Sequence, residues 1–338
     1  MEKWEKNNPR AAAWLKKQIE EISAANPEVK RKTEQDDYLT NLKYCYCAYG
    51  FLPYEYVGYD LYSKTEDEYR EYISNLEAAE DSYRMNDIKA MALFRDKGLT
   101  YDLFRDFFHR ECIVIEKKRD FERFREFVGR HPVFVQKQVN ESCGKSVLMA
   151  DLSDNQEDIL HRFSTMIRTG KHIIEEIITQ GREMAAFNMS SVNTVRCATI
   201  LTKHGPEIVF CGLTAGRAGS FVNNGGAGGI LVGIDKETGV LNTSGVDEYC
   251  FRYERHPDSG TAFMGYQLPE WDGLLQICRD AAVLAGGRGC RYVGWDMAYT
   301  ERDGWIMVEG NGCGQLIGAQ VPSQRGVRTI VEGLLDML

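Results

Sequence analysis

Through roughly the first 125 positions apolar residues recur at three- and four-residue steps among Glu, Lys and Arg, as in EDEYREYISNLEAAEDSYRM, Glu66 to Met85. That period predicts surface helices, each burying one face. The aromatic, Pro-containing stretch YGFLPYEYVGY, Tyr49 to Tyr59, breaks the period and predicts an ordered turn. NDIKAMALFRDKGL, Asn86 to Leu99, predicts a helix capped by Asn86 or Asp87, with Gly98 just past its end. In YCYC, Tyr44 to Cys47, the alternation places both cysteines on one face of a strand.

From residue 132 the pattern turns to short β-type runs: PVFVQKQV, KHIIEEIIT, TVRCATIL, EIVFCGLTA, GILVGID, RYVGWDMAY and GWIMVEGN, separated by Gly, Asn and Asp turns. One helix interrupts them, PEWDGLLQICRDAAVLAG, with Pro269 near its start and Gly286-Gly287 at its end. A helical first part followed by a sheet-rich second part predicts an α+β protein. No internal repeat, low-complexity tract or long linker divides it.

At 338 residues with 43% hydrophobic content the chain can build one large multi-lobed unit or two to three domains. A net charge of -9 argues against nucleic acid as a partner. No run is long and apolar enough to span a bilayer, and the start lacks the apolar core of a secretory signal, which predicts a cytoplasmic protein. The ten cysteines form no CxxC pair or zinc-like grouping, so reduced thiols are the simplest reading.

The candidate chemistry begins at GWDMAYTERDGWIMVEGN, Gly294 to Asn311. ERDG between two β-type runs predicts a tight turn with Gly304 at positive φ, and the resulting hairpin brings Asp296 near Glu309. Asn311, two residues after Glu309, shares its strand face. Two carboxylates held close need a proton or a cation between them, and an Asp, Glu, Asn set suits Mg²⁺ or Mn²⁺ better than Zn²⁺. The alternative is that the carboxylates face apart or pair with arginines such as Arg291 or Arg302.

Three further stretches hold candidate chemistry. In FVQKQVNESCGKSV, Lys137 lies in a strand and is followed by a turn containing Ser142, Gly144, Lys145 and Ser146. Small residues there let backbone N–H groups approach an anion, although a P-loop would need glycine at Val139. In IIEEIITQ, Ile173 to Gln180, one of Glu175 and Glu176 must face the less apolar side; it either meets a nucleoside or is solvated on a half-buried edge strand. SVNTVRCATIL carries Arg196, and the following RAGSFVNNGGAGG carries Arg217, Asn223 and Asn224 in a glycine-rich stretch that reads as either an anion-contacting loop or an irregular hairpin turn.

Taken in order, the Lys137 strand with its Gly144-Lys145-Ser146 loop, EEII, SVNTVR and GWD…DG…VEGN resemble the ATP-grasp superfamily. SVNTVR, RxG…NN…GG and GWDMAYT…VEGN look most like its sugar-transfer-associated branch, which includes relatives assigned to teichuronopeptide synthesis. The likeness covers about residues 85 to 335, and Asp-x12-Glu-x-Asn is its most specific part.

The resemblance implies an ATP-grasp fold: an antiparallel-sheet lid, 132–178, over a larger C-terminal α+β lobe, 179–338. Residues 85–131 would form the first part of this module, preceded by a helical region, 1–84, that matches nothing in the family. Lys137 would contact ATP, Ser142 to Ser146 would cover its phosphates, and Glu175, Glu176, Ile177 and Ile178 would read adenine. Glu183 would hold the ribose, with Lys89 a further phosphate contact. Asp296, Glu309 and Asn311 would hold two Mg²⁺. The implied chemistry is ATP-dependent ligation of a small-molecule carboxylate to an amine through an acylphosphate, steadied by Arg196 or, second, Arg217. It would join an amino acid to a sugar-containing or cell-surface precursor in polysaccharide biosynthesis. A kinase acting on a hydroxyl acceptor, or a non-catalytic nucleotide-binding scaffold, are the alternatives. One departure stands out: D-alanine–D-alanine ligases carry an arginine two residues before the metal Asp, where this chain has Gly294. The oligomeric state has no signature in the sequence.

Overall fold

The computed structural model describes residues 2–141, 147–153, 156–219 and 228–338. The expected phosphate-covering residues Ser142, Gly144, Lys145 and Ser146, and Asn223 and Asn224, lie outside the described residues.

The N-terminal helices start where Pro or a capping side chain fixes the first turn: Pro9–Ala25, Pro27–Thr33 and Pro53–Gly58 begin with proline, and Asn26 accepts from Glu28 N and Val29 N. Residues 50–58 therefore do not form the expected turn. Gly50, at φ 73°, ends one helix and Pro53 opens the next, so the two breakers punctuate a helical path. YCYC likewise belongs to a helix, Tyr38–Tyr49, which buries Tyr38, Leu42 and Cys45 while Cys47 is exposed. Four alternating residues were too few to reveal that three-to-four-residue spacing.

Asp87 caps the helix Ile88–Arg95 by accepting from Lys89 N, as expected. That helix ends at Asp96, which also caps the next one, Lys97–Phe108, through Gly98 N and Leu99 N. Gly98 thus sits inside the second helix; a Cβ there would lie 2.7 Å from Val114 Cγ2. The glycine serves a close approach to the following strand instead of ending a helix.

The small sheet comprises β1 (Cys112–Ile115), β2 (Val133–Gln138), β3 (Leu148–Asp151) and β4 (His172–Glu176), in the order β1-β4-β2-β3 and antiparallel throughout. It begins with CIVI, upstream of the change in texture at 132, because a four-residue strand between helices has too little length to show a period. One face packs on the helices Phe121–Arg130 and Gln156–Thr169 through Phe124, Phe127, Phe134, Phe163 and Ile174. Partners across the strands share a face, so Val135 opposite Glu175 and Lys137 opposite Ile173 put Lys137 and Glu175 together on the other one.

The large sheet contains β5 (Thr194–Thr202), β6 (Gly205–Ala215), β7 (Ile230–Ile234), β8 (Gly245–Val246), β9 (Arg252–Tyr253), β10 (Tyr292–Thr300) and β11 (Gly304–Asn311). Its order is β11-β10-β5-β6-β7-β8-β9. The helix Trp271–Gly286 covers one face, joining Trp295, Met297, Cys197 and Leu213 in the largest core. On the opposite face Ala198, Ile200 and Phe210 pack with Leu316, Val331 and Leu334. The N-terminal helices share their own core with Val246 and Val321. Gln320 bonds Ile73 N and O and Tyr59 Oη, and Arg328 bonds Glu77 and the Tyr72 carbonyl. No helix among the described residues is long and apolar enough to cross a membrane.

Candidate nucleotide and metal site

The β10–β11 hairpin turns at Gly304, whose φ of 68° suits glycine. Its register sets Asp296 opposite Glu309 and Gly294 opposite Asn311, with a bulge after Asp296. On the other side of β10, Asp296 faces Arg196 of β5. Three neighbouring strands thus line up Arg196, Asp296 and Glu309 in one row.

Arg196 donates Nε to Asp296 Oδ1 at 2.5 Å and Nη2 to Oδ2 at 2.8 Å, and Asn311 Nδ2 donates to Oδ2 at 3.1 Å. Asp296 therefore pairs with Arg196, not with Arg291 or Arg302; strand pairing between residues a hundred positions apart, invisible to local spacing, decides the partner. Burial raises the pKa of Asp296 against the pull of Arg196, and Glu309 adds to the rise. Among the described residues no three His, Cys, Asp or Glu side chains stand ready for a metal; the group here is two carboxylates completed by an amide. With Asn311 Nδ2 turned to Asp296, its Oδ1 remains as a third oxygen donor, and an all-oxygen set suits a hard divalent cation.

Gly294 leaves room for Arg196. A Cβ at 294 would lie 3.1 Å from Arg196 Cδ and 3.3 Å from Nη1, so the guanidinium from β5 occupies the space a side chain two residues before Asp296 would fill.

On the small sheet, Lys137 Nζ lies 2.9 Å from Glu175 Oε1. Glu175 is neither solvated nor on an edge strand, since β4 is interior and the side chain is 5% exposed. Its other oxygen takes Arg110 Nε at 3.2 Å and Nη2 at 2.8 Å. Burial would raise the Glu175 pKa, but the charges of Lys137 and Arg110 outweigh it and bring it down to about 2. Glu176, on the opposite face, accepts from Glu111 N at 3.0 Å and stands 3.6 Å from Arg302.

Past β4, Glu176, Ile177, Ile178 and Thr179 line a cavity of about 180 Å³ with Arg110, Thr300 and Ile306. Glu183 is half-buried and pairs with Arg182. Lys89 is exposed on the first turn of its helix, and no described contact joins its side chain to the others. Arg217 pairs with Asp258 at 3.0 Å on a corner held by Asn193 and His256, which bond Gly216 N and O. No described contact links Arg217 to Asp296.

Sequence reasoning missed Arg110 and the role of Asn86. Asn86 bonds Tyr292 N and O and Gly312 O, fixing the chain just beyond Asn311 to β10. The only sequence signal for Arg110 was a buried glutamate in need of a second partner.

Two antiparallel sheets thus carry the candidate residues, one the Lys137–Glu175 pair and the other the row Arg196, Asp296 and Glu309. The model of the family described as sugar-transfer associated ATP-grasp matches residues 78–334, and the chain belongs to that family. No curated protein matches the sequence. Among solved structures, the ATP-grasp ligase PsnB with its minimal precursor is 15% identical at a TM-score of 0.46, over 75% of this chain and 64% of that one. D-alanyl-alanine synthetase A from Vibrio cholerae is 8% identical at 0.46, over 75% and 67%. The D-alanine–D-alanine ligase from Helicobacter pylori is 13% identical at 0.45, over 76% and 66%. The chain spans less than two thirds of the PsnB chains it matches.

Proposed function

We propose that the protein is an ATP-dependent ligase joining a carboxylate to an amine. The observation that carries this reading is the row Arg196, Asp296, Glu309 with Asn311 beside it. Asp296, Glu309 and Asn311 would hold Mg²⁺, as two ions, with Mn²⁺ a substitute; bound there, it neutralises charge on the β- and γ-phosphates of ATP.

In this reading the substrate carboxylate attacks the γ-phosphorus, the bond to the β–γ bridging oxygen breaks, and ADP leaves. The acylphosphate is then attacked by the amine, phosphate departs, and the amine gives up a proton as the amide forms. Arg196, which donates two N–H groups to Asp296, would hand them to phosphoryl oxygens as negative charge moves onto these. The space above Gly294 supports this choice, because an arginine reaching it from β5 substitutes for one on β10. Arg217, bonded to Asp258, is the second candidate.

Lys137 and Glu175 would meet the nucleotide from the lid, with Ile177 and Ile178 along adenine, Glu183 at the ribose and Lys89 a further phosphate contact. The lid is the small sheet, β1 included, closing over the 179–338 lobe. The acceptor would be a sugar-containing or cell-surface precursor, in keeping with the family's description.

Incubating the protein with Mg·ATP and pooled acids and amines tests the reading. Ligation yields ADP, free phosphate and a new amide by mass spectrometry. ADP without phosphate would instead mark a kinase, and neither product a nucleotide-binding scaffold.

A further inference from the structure

Arg110 is a buried charged side chain that neither the sequence motifs nor the proposed chemistry uses. Its side chain is 2% exposed, so a full positive charge is held out of water. Two of its nitrogens grip one oxygen of Glu175. The rest of the fork points to the other sheet: Nη1 donates to the Met307 carbonyl at 2.5 Å and Nη2 to the Val308 carbonyl at 3.1 Å, both on β11 just before Glu309. The guanidinium also lies 4.6 Å from the Phe108 ring centroid. The planar fork makes these four hydrogen bonds from three nitrogens, whereas an ammonium has three N–H groups on a single atom.

Glu175 thus has its two oxygens divided. Oε2 belongs to Arg110 and Oε1 to Lys137. With two cations around one carboxylate, the cluster has a surplus positive charge, and Lys137, the more exposed of the two at 13%, is where that surplus can meet an anion. Without Arg110, Glu175 would be a buried carboxylate with a single cation, and Lys137 would be bound to it more tightly.

We propose that Arg110 is a positioning residue for nucleotide binding: anchored on the β11 carbonyls, it satisfies Glu175 from behind and so leaves Lys137 free to engage a nucleotide phosphate. This rests on the reading that Lys137 contacts the nucleotide.

Titration of the full chain with ADP in EDTA, by calorimetry, tests it. Arg110→Met weakens ADP binding about tenfold in the wild-type background and less than threefold in a Glu175→Gln background, where no carboxylate is left to compete for Lys137. Arg110→Lys, which keeps the charge and loses the fork, falls between wild type and Arg110→Met. If Arg110→Met does not fold, Arg110→Lys alone decides: unchanged ADP affinity overturns the proposal. A purely structural arginine would lower the melting temperature and leave ADP affinity unchanged, or shift it equally in both backgrounds, and either result also overturns it. Lys137→Met separates the two levels. If it leaves ADP affinity unchanged, the nucleotide reading itself fails; if it weakens binding while Arg110→Met does not, only the role of Arg110 fails.

Discussion

Asp296 accepts from Arg196 on both carboxylate oxygens and from Asn311 on one of them, so each neighbour governs what it can hold. Removing the guanidinium leaves two facing carboxylates with no cation. Arg196→Met should therefore bind Mn²⁺ without nucleotide more tightly, by about tenfold or more, since one unit charge acts on a dication a few ångströms away on that scale even at the dielectric constant of water. It should also lower ATP turnover by about 100-fold or more, the usual loss when a donor to developing charge is removed. Mn²⁺ titration followed by electron paramagnetic resonance, alongside ADP release, reads both; unchanged Mn²⁺ affinity would remove Arg196 from the metal's place. Glu309→Gln should melt within a few degrees of wild type yet abolish Mg-dependent ADP formation. The carboxylate pair was legible in the sequence because strand alternation and a tight turn are local rules. Arg196 as partner of Asp296, and Arg110 as partner of Glu175, were not, since strand order in space decides them.

Two buried glutamates on different elements give opposite pH signatures. Glu175 on β4 has a folded pKa of about 2, below its ordinary 4.5, so it adds stability above about pH 4.5 that is lost as pH falls toward 2. Glu55 in the helix Pro53–Gly58 is pushed up to about 7 by burial, against hydrogen bonds from Leu52 N, Asn75 N and Tyr59. Its contribution is present below pH 4.5 and lost as pH rises through 7. Melting temperatures across pH 2 to 8 should accordingly show Glu175→Gln flattening the acid limb and Glu55→Gln flattening the slope between about 4.5 and 7; interchanged effects would contradict both assignments. The hairpin allows a simpler check. Gly304→Ala forces a side chain into positive φ and should cost about 1 kcal/mol or more in denaturant unfolding. Helix existence was legible here and helix breaks were not: Gly and Pro between Tyr49 and Tyr59 read equally as a turn or as one helix handing over to another.

The helices before residue 86 are packed into the sheet-rich part of the chain. Tyr59, Tyr72 and Leu15 share a core with Val246 and Val321, and Gln320 and Arg328 reach back to Ile73, Tyr72 and Glu77. A segment held by a shared core unfolds with its neighbour. Calorimetry should show the N-terminal helices and the large sheet melting in one transition, and removal of residues 1–84 should leave an aggregating remainder; a separate N-terminal transition would refute this. The α+β division, five of the large sheet's seven strands and the β10–β11 hairpin followed from periodicity and turn residues, whereas β8 and β9, two residues each, were too short to show a period. The welding of the first helices onto the C-terminal lobe did not, because buried tyrosines in amphipathic helices look the same whatever covers them.

Arg196 reaching over Gly294 also bears on how relatives of this chain are recognised. A search pattern written along a single strand, demanding an arginine two places before the aspartate, would discard this chain although a guanidinium fills that volume. A pattern written across paired strands, with arginine on β5 and glycine on β10 treated as one interchangeable unit, would retain it. The double exchange Arg196→Gly with Gly294→Arg is the corresponding experiment in protein engineering.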